Sequence, residues 1–173
     1  MGTHLPLELE KNEDGEKFLW GHLSRANPQW KSFKDNDEVM AIFLGPHTYN
    51  SSSWYDHVNV PTWNYIAVPM YGKVKIAEGE KLREMLKPGV YEAVSQKPVS
   101  VHTMPDAYVQ KEMKGIVGFE IAIERIEAKW KLSKNRDAAN YQQIISELEK
   151  LNNFNAQQIA AEMSKRRDIE SIK

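Results

Sequence analysis

Four short tracts concentrate the residues able to bind a ligand or do chemistry. They are Gly21-His22-Leu23-Ser24-Arg25-Ala26-Asn27-Pro28-Gln29-Trp30, Gly45-Pro46-His47, Ser51-Ser52-Ser53-Trp54-Tyr55 and Val60-Pro61-Thr62-Trp63-Asn64-Tyr65. Arg holds a phosphate bidentately, Ser hydroxyls and backbone amides complete an anion cradle, and Trp or Tyr faces stack a planar ring. A phosphorylated aromatic cofactor fits that inventory. The simpler alternative for Trp30, Trp54 and Trp63 is anchoring of a core or interface, the commoner fate of Trp. For Arg25 it is pairing with a carboxylate.

Other chemistries fall away by residue type. Cys is absent, which removes disulfides, thiolate metal sites and thiol nucleophiles. The His residues at positions 4, 22, 47, 57 and 102 show no H-x-x-x-H or similar ligand spacing. Ser51 to Ser53 lack the G-x-S-x-G frame of a nucleophile, and nothing in the spacing makes His47 or His57 a base for them, so hydrolysis is set aside. A formal net charge of −1 gives no basic excess for nucleic-acid phosphates, so any DNA contact would need a local patch. No apolar run approaches membrane-spanning length. The N-terminus lacks the basic flank and apolar core of a secretory signal, and with Cys absent the expected compartment is the cytoplasm.

The elements that must position these tracts are legible from periodicity. With 173 residues, 41% hydrophobic and 27% charged, the chain fits one soluble globular domain. Strands are expected over Phe18 to Leu23 and Val39 to Leu44, the second ending at the turn signal Gly45-Pro46. Tyr65 to Met70 and Gly72 to Ile76 read as a hairpin or one bent strand. From Ile116 to Ile126 the core-facing residues Val117, Phe119, Ile121 and Ile123 alternate with Gly118, Glu120, Ala122 and Glu124. Short helices are expected over Glu78 to Leu86, stopping at Pro88-Gly89, and over Asp106 to Lys114 after Pro105.

After Asn135 the spacing becomes helical. Tyr141, Ile144, Ile145, Leu148 and Leu151 form one apolar stripe. A second helix carries Ile159, Ala160 and Met163, with Asn155 as its cap and Gln158 as capping-box partner. Lys165-Arg166-Arg167-Asp168 reads as a solvated terminus. Strands with interspersed short helices indicate an antiparallel α+β barrel or sandwich rather than a regular βαβ succession.

The tracts share their order with His4-Leu5-Pro6, Gly115-Ile116-Val117-Gly118-Phe119-Glu120-Ile121 and Lys129-Trp130-Lys131-Leu132-Ser133-x-Asn135-Arg136. Together they cover nearly the whole chain, and the sequence resembles the PaiB family. The resemblance implies an α+β, mainly β fold: an antiparallel split β-barrel of the FMN-binding type with peripheral helices and a C-terminal helical pair. Residues 1–136 would form the barrel and 137–173 the helices. It also implies a homodimer with a cofactor-type cleft, and negative transcriptional regulation of protease production and sporulation. The alternative is a flavin- or haem-binding redox protein of the pyridoxamine phosphate oxidase-like superfamily, with an enzyme the less favoured of the two readings.

The expected ligand is FMN, with haem as runner-up. It would lie among Arg25, Trp54, Tyr55 and Trp63, with Lys131 and Arg136 as further phosphate contacts. Four positions depart from the family pattern: Ser52 stands for Pro, Pro69 for His, Ala128 for Gly and Lys134 for Gln. Family members also begin with a helix and a strand ahead of the His-Leu-Pro motif, so that edge of the barrel is expected to be missing from this sequence. A helix-turn-helix could come only from Asp137 to Lys173, whose Ala-, Gln- and Met-rich second helix is better suited to packing on the barrel.

Overall fold

The computed structural model describes residues 2–34, 37–86, 101 and 103–170. Strands β1 (Glu8–Lys11), β2 (Lys17–Ser24), β3 (Asp37–Asn50) and β4 (Thr62–Ala77) precede helices α1 (Gly79–Met85) and α2 (Asp106–Met113). Strands β5 (Ile116–Ile126) and β6 (Lys129–Lys131) follow, then helices α3 (Ala138–Lys150) and α4 (Phe154–Glu170). The strands make one open antiparallel sheet in the order β1-β2-β5-β4-β3, with β6 paired to β4. This is the mainly β architecture with a C-terminal helical pair that the periodicity and the resemblance imply. The chain divides into two compact units, residues 1–40 with 70–125 and residues 41–69 with 126–173.

In the first unit the β5 alternation sets the core. Val117, Phe119 and Ile121 are buried, Ile123 and Glu120 half-buried, and Glu124 exposed. Antiparallel pairing places Leu19 opposite Ile121 and Leu23 opposite Val117, so buried residues of β2 meet buried residues of β5. A one-residue slip would turn this whole set outward. The segment from Tyr65 to Ile76 is one strand rather than a hairpin, because Gly72 continues β4 instead of turning it. A Cβ on Gly72 would lie 2.0 Å from the Ala122 carbonyl oxygen, so glycine is required by close backbone approach. Helices α1 and α2 bury Leu82, Val109 and Met113 together, and Arg83 pairs with Asp106 at 2.6 Å. The expected stop at Pro88-Gly89 lies outside the described residues, and β1, with its polar Glu-Leu-Glu-Lys run, was not expected.

In the second unit the helical pair forms the core. Tyr141, Ile144, Ile145 and Leu148 of α3 pack with Ala156, Ile159, Ala160 and Met163 of α4. Leu151 leaves the stripe and is exposed, because α3 ends at Lys150 and Leu151 takes an extended backbone. The cap of α4 is Asn153, not Asn155: its Oδ1 accepts from the Ala156 N–H at 3.0 Å, while Asn155 already lies inside the helix.

Strand β3 does not stop at Gly45-Pro46 but runs on to Asn50. Ala41, Thr48 and Asn50 are buried, whereas Ile42, Leu44 and Tyr49 are exposed. The inward–outward alternation therefore slips by one residue between Leu44 and His47, as a β-bulge makes it do. A strand tolerates proline and glycine at such a place.

Candidate functional site

Among the described residues of the second unit lie two clefts of about 310 Å³ each. The first is formed by Thr62, Trp130 and the loop from Lys131 to Arg136. Strand β6 brings this loop to β4 by pairing Lys131 with Tyr65 and Trp130 with Ile66. The loop then turns at Ser133, whose φ of 55° is in the left-handed region, and the Arg136 N–H closes the turn on the Ser133 carbonyl at 3.1 Å. Lys131, Lys134 and Arg136 line the cleft and no carboxylate does. Among the described residues neither Lys131 nor Arg136 is paired with an acid.

The second cleft is lined by Ser53, Trp54, Tyr55, Asp56, Asn140 and Gln143, together with Ala139. Arg136 connects the two, because its guanidinium lies 5.0 Å from the centre of the Tyr55 ring. The Asp56 carboxylate accepts from His57 Nδ1 at 2.7 Å and from Asn140 Nδ2 at 2.8 Å, and these hydrogen bonds hold it below the usual carboxylate range. Asp137 is lowered by the Asn140 backbone N–H first and the Asn140 side chain second. It caps α3 through that backbone bond, at 3.0 Å. Asn140 is itself buried and accepts from the Asp56 N–H, so one amide fixes the end of the basic loop and the edge of the aromatic cleft.

The six residues singled out in the sequence divide into groups. Lys131 and Arg136 share the first cleft, Trp54 and Tyr55 share the second, and Arg136 reaches both. Trp63 projects from β4 on the side opposite Asn64, is 46% exposed, and stacks on His47 with ring centres 5.7 Å apart. Arg25 belongs to the first unit. Its Nε donates to the Lys114 carbonyl at 2.9 Å and its Nη2 to the Ile116 carbonyl at 3.0 Å, while Trp30 Nε1 donates to the Arg25 carbonyl. The partners of Arg25 are thus backbone carbonyls rather than the carboxylate expected of a simple ion pair.

Sequence reasoning missed Lys134, Trp130 and Asn140. The density of cations was the available signal, for Lys129 to Arg136 contains four cations and no acid. Asn140 could have been found by its spacing of three from Asp137, a helix-start pattern.

The family model described as "Putative FMN-binding domain" matches residues 1–125. "Protease synthase and sporulation protein PAI 2" of Bacillus subtilis (strain 168) is 43% identical over 162 residues, covering 92% of this chain and 78% of the relative. The chain belongs to the PaiB family. The family-model match ends before the Lys131 to Arg136 loop, so of the residues lining that cleft only Thr62 lies within the matched span. Two solved structures are similar to this PaiB-family chain at low identity. The flavocytochrome Anf3 of Azotobacter vinelandii is 18% identical with a TM-score of 0.42, and the FAD and heme binding protein of Mycobacterium smegmatis is 14% identical with a TM-score of 0.44. Each likeness covers 80% of this chain but only 60% and 63%, respectively, of those chains. Among the described residues no helix is long and apolar enough to cross a membrane.

Proposed function

We propose that this PaiB-family chain is a negative regulator of protease production and sporulation whose ligand is a phosphorylated planar molecule, FMN before haem, with its phosphate received by Lys131 and Arg136. The observation that carries the ligand reading is the cationic cleft itself: a volume of about 310 Å³, no carboxylate in its lining, and on its wall Lys131 and Arg136, neither of them paired with an acid among the described residues. Its size is at the lower end for ligand pockets and suits the phosphate and part of a sugar-alcohol chain. Arg136, between this cleft and the Tyr55 ring, can serve a phosphate while the aromatic side takes the planar part. FMN, when bound, supplies its own redox chemistry, and the chain's task is to bind and orient it.

The regulatory half of the proposal is supported by the name of the Bacillus subtilis relative. With a net charge of −1, contact with proteins is favoured over a DNA-phosphate interface. A redox enzyme on the same site is the second reading, favoured by the family model's flavin description.

A homodimer belongs to the same proposal. Ile42, Leu44, Tyr49 and Trp63 are 59%, 62%, 48% and 46% exposed, a concentration of apolar surface that soluble monomers rarely leave uncovered. Light scattering at twice the chain mass supports this, and a monomer mass across a range of concentrations counts against it. The ligand reading is tested by mass spectrometry of small molecules released from the purified protein and by titration with FMN. Quenching of flavin fluorescence that disappears in a Lys131→Ala, Arg136→Ala variant is the expected result. Quenching of equal strength in that variant refutes the assignment of the cleft. Turnover of a reduced nicotinamide by the FMN-loaded protein would favour the enzyme over the regulator.

A further inference from the structure

We propose that Asn64 is a positioning residue for the anion cleft, acting with Asn50 through the hydroxyl of Ser133. The inference rests on the reading of that cleft as a phosphate site. Asn64 and Asn50 are fully buried and Ser133 is 8% exposed. Ser133 Oγ donates to Asn64 Oδ1 at 3.0 Å and accepts from Asn50 Nδ2 at 3.2 Å. Asn64 completes its bonding through Nδ2, which contacts the Met163 sulfur at 3.6 Å. One hydroxyl therefore ties together β3, β4 and the basic loop.

Two consequences follow from the chemistry of that hydroxyl. It carries a single hydrogen, and Asn64 has it. Ser133 lines the cleft, yet it offers an anion no O–H, which leaves recognition to Lys131, Lys134, Arg136 and the loop amides. Ser133 also holds the left-handed φ of 55° that a serine rarely adopts unaided. The buried amides clamp the loop at its least favourable residue, and the turn closed by the Arg136 N–H fixes where that side chain leaves the backbone. If Asn64 served packing alone, a Leu of similar volume would replace it beside Met163 without consequence for the loop. A hydrogen-bonded amide instead makes the loop geometry depend on a buried polar contact, and such networks rigidify what they join.

The test compares Asn64→Leu and Ser133→Ala with Val109→Ala, a change in the α1–α2 core, whose cluster holds no residue of the loop. Amide hydrogen exchange over residues 133–136 and FMN affinity by fluorescence quenching are measured on each full-length protein. Asn64→Leu is expected to speed exchange in the loop and weaken FMN by about tenfold, as displacement of one charge-assisted contact would. Ser133→Ala, which removes only the shared hydroxyl, changes both in the same direction and covers the case in which Asn64→Leu does not fold. Val109→Ala changes neither. Unaltered loop exchange in Ser133→Ala, or the same acceleration in Val109→Ala, overturns the proposal. Should the wild-type protein fail to bind FMN while both loop variants still speed exchange at 133–136, the clamp stands and the phosphate reading falls.

Discussion

Arg25 and Arg136 sit in loops of similar make-up, each a cation beside an aromatic ring at the margin of the sheet, and they reach opposite states. The Arg25 guanidinium donates to the carbonyls of Lys114 and Ile116 and lies 5.5 Å from the centre of the Trp30 ring, so it fastens the end of β2 to the start of β5. Arg136 has the Tyr55 ring and an acid-free cleft. Cation and aromatic neighbours are common to both and do not tell a binding group from a structural one. What separates them is whether backbone carbonyls stand within reach of the fork. At Arg25 the chain returning through Gly115 presents them, while among the described residues the Arg136 side chain donates to no backbone carbonyl.

The strongest way to break this contrast is to remove Arg136. Replacing Arg136 by Ala should weaken FMN by roughly tenfold to a hundredfold, from a charge-assisted contact of about 1.5–3 kcal/mol, with little change in melting temperature. A variant that melts early but binds normally would place Arg136 with Arg25. Asn140→Ala should lower the urea midpoint, because it removes the buried amide that ties Asp56 to the start of α3, while the two exposed carboxylates it releases turn to water. An unchanged urea midpoint would show that the loop is held elsewhere.

Arg25→Ala reverses the Arg136 pattern. It should cost about 1 kcal/mol of stability, reduced by the exposure of the side chain, and leave FMN affinity within about twofold. A tenfold loss of affinity would return Arg25 to the binding site.

The smallest effect is on pH dependence. Asp56 and Asp137 have folded-state pKa values below their ordinary ones, so their contribution is present above the unfolded value near ~3.9 and is lost as pH falls through the folded values. Urea midpoints should therefore drop as acidity increases below about pH 4. In Asn140→Ala that decline should be shallower, since Asn140 lowers both groups. Parallel profiles for the two proteins would show that Asn140 is not the link.

How much of this could be read from sequence depends on the range of the interaction. The β5 alternation and the Tyr141 to Leu148 stripe are local periodicities, and both predicted their buried faces. Gly45-Pro46 was misread as a turn because the same two residues punctuate loops and mark irregularities inside strands. Gly72 had no local signal at all, since its need for glycine comes from Ala122 on another strand. The site was partly legible: Lys131, Arg136, Trp54 and Tyr55 stand out by residue type. The carbonyls that occupy Arg25 have no side-chain signature, and Asn64 looks like any polar residue in a polar tract until β3 and β4 bury it beside Ser133.

The slip in β3 makes one residue of that tract a spacer. Ala41 is buried at an odd position and Thr48 and Asn50 at even ones, so removing one residue between Leu44 and His47 brings all three onto one face in strict alternation. Asn50 then still reaches Ser133 with its amide. Removing two residues keeps the halves out of step, and the shortened tract must hold the same irregularity. Loss of one residue should therefore be tolerated better here than loss of two.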